Sequence, residues 1–286
     1  MTIAHVVPGA DTGITRFAPV RMLLALLAVC VPVALVLVLS HQIADKALRA
    51  YWPPLLAALL GTAVYVLYVR RIEQRAPAEL AGPGIERELG AGVALGTLLF
   101  LAVMALAATG GYQLLGYGSW TALTKALTEM LFVAAIEEIL FRGVVLRITE
   151  RAMGSWAALA ISALLFGLAH VPNDGVTALA VINTVVAGLL FGAAYLATRR
   201  LWLTIGIHFA WNLVSSGLFS LPTSGNPGRG LVQWQFSGPT WLTGGAYGLE
   251  ASVATLAVWL IATALLLRQA RRAHHIAPRG GRKSVL

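Results

Sequence analysis

Residues 130–145 read MLFVAAIEEILFRGVV, an apolar stretch with two adjacent glutamates, Glu137 and Glu138, and an arginine, Arg142, four positions after the second. An acidic residue at the centre of a bilayer costs about 2.5 to 3.5 kcal/mol on insertion scales. Ionisable residues in such helices usually face the interior of a helix bundle or a polar cavity. The stretch therefore predicts a membrane-embedded helix that carries a functional site.

The rest of the chain has the composition of an integral membrane protein. Of its 286 residues, 58% are hydrophobic and 12% are charged, whereas soluble domains have about 25% charged residues. An α-helix needs about 20 predominantly apolar residues to cross a bilayer, and eight segments satisfy this requirement. We expect an all-α membrane protein, an eight-helix transmembrane bundle with spans near residues 21–40, 51–69, 89–109, 121–145, 155–171, 176–198, 201–219 and 249–267.

These spans divide the chain into four regions. Residues 1–119 hold three predicted helices and a charged loop at 70–88, and residues 120–218 hold four helices with most of the intramembrane polar residues. Residues 219–267 combine an outer loop, rich in Gly and Pro, with the last helix. Residues 268–286 form a basic tail.

The distribution of basic residues predicts the orientation. With the N-terminus in the cytoplasm, 17 of the 21 Lys and Arg residues fall in inner segments, and the four in outer segments are Lys46, Arg49, Lys125 and Arg229. Cytoplasmic loops retain Lys and Arg, so both termini are expected in the cytoplasm. The net charge of +9 then indicates a lipid bilayer as partner and not nucleic acid. The compact loops favour a multi-pass protein of a bacterial inner membrane.

The two glutamates are expected to differ in role. Glu138 and Arg142 share one face of a helix because they are four residues apart, and the acid precedes the base, which is the better order. Glu138 is therefore predicted to be a paired, structural acid. Glu137 lies about 100° around the helix and has no such partner. It is predicted to be the free carboxylate.

A histidine in the next predicted helix is placed to meet Glu137. The helix with the glutamates is expected to continue to about Ala152 and to end at Gly154. Glu137 and His170 are equally distant from this turn in sequence. An antiparallel hairpin would bring them to the same depth, so we predict a carboxylate facing an imidazole.

A third pair of polar residues lies in the seventh predicted span. His208 and Asn212 are four residues apart and share a helical face. His208 follows the basic turn at Arg199 and Arg200 by about eight residues, or roughly 12 Å of helix. It is expected below the membrane surface, on the cytoplasmic side of the centre.

Three alternative roles for these residues stay open. A single intramembrane His or Asn often forms a hydrogen bond between helices, worth about 0.6 kcal/mol on average. A proton-coupled transporter would use the same residues as a proton relay, but it predicts paired halves with repeats or broken helices, which the sequence lacks. A non-catalytic membrane scaffold has no reason to hold all of these groups. Glu129, Asp174, Asn183 and Glu250 are interpreted as polar groups of a cavity or helix caps.

The polar residues form three motifs in chain order, Glu137-Glu138-x-x-x-Arg142, Phe166-x-x-x-His170 and His208-x-x-x-Asn212. In predicted membrane helices, this ordered set resembles the CPBP intramembrane proteases, a family that includes the CAAX prenyl endopeptidases and the bacteriocin-processing, or Abi, enzymes. The resemblance covers about residues 122–215. The N-terminal helices carry no matching signature.

The resemblance implies an eight-helix bundle around a conical cavity that opens towards the cytoplasm, and hydrolysis of a peptide bond in a membrane-associated peptide or protein. At the matching positions, Glu137 and His170 would hold and deprotonate the attacking water, and His208 and Asn212 would stabilise the oxyanion. Glu138 and Arg142 would brace the first motif.

The need for a metal ion is left open by the sequence. Glu137, His170 and His208 would form a possible zinc set of two histidines and one carboxylate. However, the sequence lacks the paired histidines of zinc-protease helices, and Asn212 is a poor zinc ligand and a good oxyanion donor. We therefore favour water activated by a glutamate with no cofactor, and zinc remains the alternative.

Overall fold

The computed structural model describes residues 17–278 and is 74% helical. Arg16 and residues 279–286 of the predicted basic tail lie outside the described residues. The helices are α1 (Ala18–Ser40), α2 (Lys46–Arg71), α3 (Ile85–Ala107), α4 (Trp120–Glu138), α5 (Arg147–Met153), α6 (Ser155–Ala169), α7 (Ala178–Thr198), α8 (Trp202–Asn212), α9 (Thr240–Thr243) and α10 (Val253–Arg272). Two π-helical segments, Ile139–Leu146 and Leu213–Leu218, continue α4 and α8.

Five helices in the described part of the chain are long and apolar enough to cross a membrane, by length and composition: Ala18–Ser40, Leu48–Arg71, Ile85–Gly110, Ala178–Thr198 and Val253–Arg272. They fit an integral membrane protein. Helices also occupy the other three predicted spans, but α6 has 15 residues, and π-helical segments follow α4 and α8. The count of eight spans stays a prediction.

The predicted outer loop contains a strand that the sequence did not indicate. This strand, β2 (Val232–Phe236), pairs antiparallel with β1 (Tyr112–Tyr117). Strand β1 lies just before α4 in the chain. Tyr112 and Trp234 stack across the pair with ring centroids 4.9 Å apart. The pairing joins segments more than 100 residues apart, so local periodicity could not predict it.

Helix α8, which carries His208 and Asn212, packs closely on α3 through glycines. A Cβ atom at Gly92 or Gly96 would collide with the backbone carbonyl of Leu203 or Ile207, respectively, and a Cβ at Gly206 would lie 2.6 Å from the Leu89 oxygen. Small residues let helix backbones approach closely in membranes. These glycines therefore fix the position of the site helix against α3.

A buried ion cluster joins the end of α2 and the following loop to the second half of the α4–α5 helix. Arg75 contacts Glu73 at 2.7 Å and Glu79 at 2.6 Å, and Arg147 contacts Glu73 at 2.7 Å. Tyr65 hydrogen-bonds to Glu79 and donates to the Gly143 carbonyl at 3.0 Å. The cluster ties the π-helical segment Ile139–Leu146 to α2.

The cluster makes stability depend on pH. Burial alone would raise the pKa of the Glu73 carboxyl, but Arg147 and then Arg75 lower it overall. Burial also opposes ionisation of Glu79, but hydrogen bonding and charge from Arg75 lower its pKa overall. An unfolded glutamate has a pKa of about 4.3, so this stabilisation is complete above about pH 5 and is lost as the pH falls towards the lower folded values.

We expect the thermal unfolding midpoint in detergent to fall between about pH 5 and pH 3, and to fall less steeply in Glu73→Gln. Intrinsic fluorescence during heating at several pH values measures this. Glu86→Gln, which changes an exposed carboxylate in the first turn of α3, is the matched control. A Glu73→Gln profile parallel to that of the wild type would contradict the assignment.

Candidate active site

The two glutamates lie where the α4 helix changes its winding. Glu137 and Glu138 are the last residues of α4, and the π-helical segment Ile139–Leu146 follows directly. The backbone N–H of Arg147 donates to the carbonyl of Arg142, five residues earlier, as in a π-helix. Single π-helical turns are frequent at functional sites.

The hairpin that the sequence predicted after the glutamates is present. Helix α5 ends at Met153, Gly154 has a φ of +82°, and α6 begins at Ser155. A positive φ is readily adopted by glycine and rarely by other residues, so Gly154 allows the reversal. The predicted turn position is therefore confirmed.

Glu138 is the centre of a fully buried polar network. Its Oε1 accepts from Arg142 Nη1 at 2.9 Å and lies 2.8 Å from Nδ1 of His208, and its Oε2 accepts from Thr204 Oγ1 at 2.8 Å. Glu138 and Arg142 have no exposed surface. The predicted pairing of Glu138 with Arg142 is confirmed, and the structure adds two partners from α8.

Arg142 is held by aromatic rings as well as by Glu138. Its Cζ lies 4.7 Å from the ring centroid of Phe166 and 5.2 Å from that of Phe191, distances at which a cation is attracted to a ring face. Arg142 Nη2 also donates to the Gly188 carbonyl at 3.1 Å. The same phenylalanines contact the histidines, since Phe191 stacks on His208 at 4.6 Å and Phe166 lies 4.6 Å from His170.

Glu137 is the free carboxylate that the sequence predicted. Its Oε2 atom is buried, and the described part of the chain offers this atom no hydrogen-bond partner. Nε2 of His208 lies 3.9 Å from it. This separation is too long for a direct hydrogen bond and is of the kind at which a bridging water is to be considered. The side chain of Glu137 keeps 28% of its surface exposed.

His170 lies at the C-terminal end of α6 and lines the same cavity as Glu137. Its Nδ1 is 2.8 Å from the Phe166 carbonyl, which only accepts, so Nδ1 carries the proton in this bond. Nε2 of the neutral ring is then an acceptor. The histidine within 4 Å of the Glu137 carboxylate is His208, whereas the sequence predicted that His170 faces Glu137.

Asn212 occupies the end of α8, one turn after His208, and a second π-helical segment, Leu213–Leu218, begins directly after it. Asn212 is buried, and it lines the cavity together with Glu137 and both histidines. The structure thus brings together the four residues that the sequence proposed as catalytic. One π-helical segment begins directly after Glu138, the neighbour of Glu137, and the other begins directly after Asn212.

The site cavity has a volume of about 370 Å³. Beyond the motif residues, it is lined by the middle of α4 at Glu129 and Val133, by Asn173 after α6, and by four residues of the loop before β2, namely Thr223, Ser224, Asn226 and Pro227. These positions lie towards the end of the bundle at which α4 begins and the β1–β2 pair is found. In the other direction, the fully buried Glu138, Arg142 and Val144 close the site.

The described residues do not form a metal centre. No group of three His, Cys, Asp or Glu side chains within residues 17–278 is arranged to hold a metal ion. Glu137, His170 and His208, the possible zinc set, are therefore not arranged as such a group.

Two residues of the site were not assigned to it from the sequence. Thr204 bonds to Glu138, and Phe191 packs on His208. Glu250, which the sequence suggested as a cavity group or cap, accepts from Trp211 Nε1 at 2.9 Å and from Ser224 Oγ at 2.8 Å, so it anchors a segment that lines the cavity. The sequence offered one signal for the role of Thr204: it precedes His208 by four residues on α8, so the two side chains share a helical face.

Asn183, which the sequence suggested as a cavity group or cap, donates to the carbonyls of Glu250 and Ser252 at 2.6 and 2.8 Å. It therefore fastens α7 to the start of α10. Its role is to hold the backbone next to the site.

The protein belongs to the class of helical membrane proteins with an intramembrane polar site. Its helical architecture, its apolar spans and its buried cluster of carboxylate, imidazole and amide groups define this class. Residues 118–214 match the family model described as type II CAAX prenyl endopeptidase Rce1-like. No curated protein and no solved structure matches the chain.

The matched region spans about a third of the chain and contains all three motifs. The match is consistent with the CPBP family, and the resemblance to the CPBP proteases is thereby confirmed. The family implies a protease that acts on a membrane-associated peptide.

Proposed function

We propose that the protein is an intramembrane endopeptidase in which Glu137 activates a water molecule for attack on a peptide bond. The observation that carries the proposal is the Oε2 atom of Glu137, which has no hydrogen-bond donor among the described residues and faces His208 Nε2 across 3.9 Å. A buried acceptor without a donor is costly. A bound water would satisfy it and would stand next to the other motif residues.

The first step is proton transfer from this water. Glu137 accepts the proton through its free oxygen, and His170, whose Nε2 is an acceptor when Nδ1 bonds to Phe166, holds the second hydrogen of the water. The resulting hydroxide attacks the carbonyl carbon of the substrate and forms the new C–O bond. Glu137 then returns the proton to the amide nitrogen as the C–N bond breaks, so one water is consumed and one acid and one amine are formed. Such general acid–base catalysis contributes about 10²- to 10⁴-fold.

The second requirement is a donor for the negative charge that develops on the carbonyl oxygen. The Asn212 amide and His208 Nε2 supply such donors when His208 is doubly protonated. One donor of this kind is typically worth about 2.7 to 4 kcal/mol in the transition state. The site is largely removed from water, which strengthens these interactions.

Glu138 has a larger role in this mechanism than a structural clip. Its Oε1 lies 2.8 Å from His208 Nδ1, so it accepts the Nδ1 proton in a hydrogen bond and orients the ring. Because Arg142 and Thr204 hold the same carboxylate, the orientation of His208 is fixed. We therefore regard Glu138 as a positioning residue for His208.

The direct test compares cleavage of a membrane-tethered peptide by purified wild-type protein and by Glu137→Ala. The proposal requires cleavage by the wild type and its loss in the variant. A transporter or a scaffold would show no cleavage in either protein.

We also propose that all eight predicted spans cross the membrane with both termini in the cytoplasm and that the cavity opens on the outer side. The bias of basic residues supports this orientation. With that orientation, α4 begins at the outer face, and the cavity lies between Glu137 and that end. The cytoplasmic opening expected from the family resemblance would require the reverse orientation of the chain.

Thiol labelling distinguishes the two orientations. In a Cys30→Ala background, which removes the single cysteine, Gln113→Cys reports the cavity end and Glu86→Cys reports the opposite end; both positions are exposed. We expect a membrane-impermeant maleimide to label Gln113→Cys in intact spheroplasts and Glu86→Cys only after permeabilisation. The reverse pattern would place the opening in the cytoplasm.

A further inference from the structure

A second chamber adjoins the site cavity. It has a volume of about 750 Å³ and lies between the starts of α2 and α4 and residues 226–229. Both cavities are lined by Glu129, Ser216, Asn226 and Pro227. Because these four residues border both spaces, the chamber adjoins the site cavity on the side away from Glu137. We call it the outer chamber.

The outer chamber collects basic residues from distant parts of the sequence. Arg49 of α2, Lys125 of α4 and Arg229 of the loop before β2 all line it, and Glu129 is its one acidic lining residue. None of the three cations forms an ion pair within residues 17–278. Its lining therefore carries a formal charge of +2.

This convergence is specific because basic residues are scarce in the segments predicted to face outwards. Those segments contain only four, Lys46, Arg49, Lys125 and Arg229, and three of them line the outer chamber. Like charges placed together repel one another unless an anion lies between them. The rest of the lining includes the apolar side chains of Leu37, Pro54 and Phe132, so the chamber suits an apolar ligand with a charged end.

We propose that the outer chamber binds a carboxylate of the substrate peptide and so selects the bond that is cleaved. The inference rests on the proposed protease function. The ligand is a peptide and not a lipid because the chamber directly adjoins the site cavity and shares four lining residues with it, and the same chain must present its scissile bond there.

The geometry also sets the spacing between the carboxylate and the cleaved bond. Lys125 and Glu137 are 12 residues apart on one helix, which corresponds to roughly 18 Å along its axis. An extended peptide rises about 3.3 Å per residue, so about five residues separate the two points. Cleavage is therefore expected about five residues from a C-terminal carboxylate or an acidic side chain.

The test measures binding without catalysis. The full-length Glu137→Gln protein is placed in nanodiscs of zwitterionic phosphatidylcholine. Its affinity is measured by fluorescence anisotropy for a fluorescein-labelled octapeptide library of random apolar sequence. The library is made once with a C-terminal carboxylate and once with a C-terminal amide. We expect the acid form to bind about tenfold more tightly.

Variants assign this preference to the chamber. Lys125→Gln and Arg229→Gln, each added to Glu137→Gln, are expected to bring acid binding close to amide binding and to leave amide binding unchanged. Lys46→Gln is the matched control, because Lys46 is a basic residue at the exposed start of α2 and is not among the residues that line the outer chamber. Arg229 is exposed on a loop, so its variant tests the proposal even where Lys125→Gln folds poorly.

Equal affinity for the acid and amide libraries, including no binding of either, would overturn the proposal. An equal effect of Lys46→Gln would assign the preference to general surface charge and would overturn it as well. Nanodiscs with anionic phosphatidylglycerol test the lipid alternative, since loss of the acid preference there would make the chamber a lipid-headgroup site. Cleavage activity is measured separately, so a failure of the protease assignment is recognised independently.

Discussion

Glu137→Ala is expected to lower the rate of peptide cleavage by at least about 10²- to 10⁴-fold, the contribution usual for a general base. The variant removes a buried carboxylate oxygen, Oε2 of Glu137, that has no donor among the described residues. Stability should change little, because this side chain is partly exposed and its ion-pair candidate, His208 Nε2, is 3.9 Å away. A large loss of activity with nearly unchanged stability is therefore the result expected if Glu137 is the general base.

Two measurements establish this result. Peptide termini in membranes of cells that contain wild-type or Glu137→Ala protein are compared by mass spectrometry, which identifies substrates directly from the cleaved ends. A peptide from this comparison is then tethered to liposomes and incubated with each purified protein. Glu86→Ala, which removes an exposed carboxylate in the first turn of α3, is the control and should retain wild-type activity.

The same assay addresses the metal question. Full activity after exhaustive chelation is expected for water activated by Glu137, whereas loss on chelation and recovery with added zinc would favour the zinc alternative. Cleavage retained in Glu137→Ala would contradict the protease mechanism proposed above.

Glu138→Ala and Arg142→Ala are expected to destabilise the protein strongly, by about 3 to 5 kcal/mol each. Both residues are fully buried, so removal of one leaves the other as an uncompensated charge in the interior of the bundle. The aromatic rings around Arg142 do not replace the lost carboxylate. Thermal unfolding in detergent, followed by intrinsic fluorescence, measures the effect, and Glu86→Ala again serves as the control.

A double variant separates stability from positioning. Glu138→Leu combined with Arg142→Leu removes both charges, and apolar replacement of a buried ion pair is often nearly neutral. We expect it to recover much of the stability lost in the single variants. Its kcat should stay low, because His208 loses the carboxylate 2.8 Å from Nδ1. Recovery of both stability and kcat would show that Glu138 does not position His208.

The sequence was informative wherever a relation is local. The pairing of Glu138 with Arg142 follows from their spacing of four residues, and the structure confirms it. The turn at Gly154 was predicted from the end of the helix and the glycine that follows it, and the structure confirms this turn as well. The membrane character follows from composition, and the described helices fit it.

The arrangement of the site depends on contacts that local patterns do not encode. Thr204 and His208 reach Glu138 from 66 and 70 residues away in sequence, so only the packing of α8 against α4 decides which glutamate His208 contacts. The π-helical segments after Glu138 and Asn212 and the β1–β2 pair were likewise not foreseen. The family motifs indicated which residues belong together but not this bonding pattern.

By itself, the sequence determined that charged and polar groups lie inside apolar helices and which of the two glutamates has an i, i+4 partner, because helical periodicity fixes both. Only the tertiary structure decided that Glu138 holds His208, that the cavity lies towards the start of α4 and that Arg49, Lys125 and Arg229 share one chamber. The physical reason is that helix packing brings together residues whose separation along the chain carries no signal of their proximity.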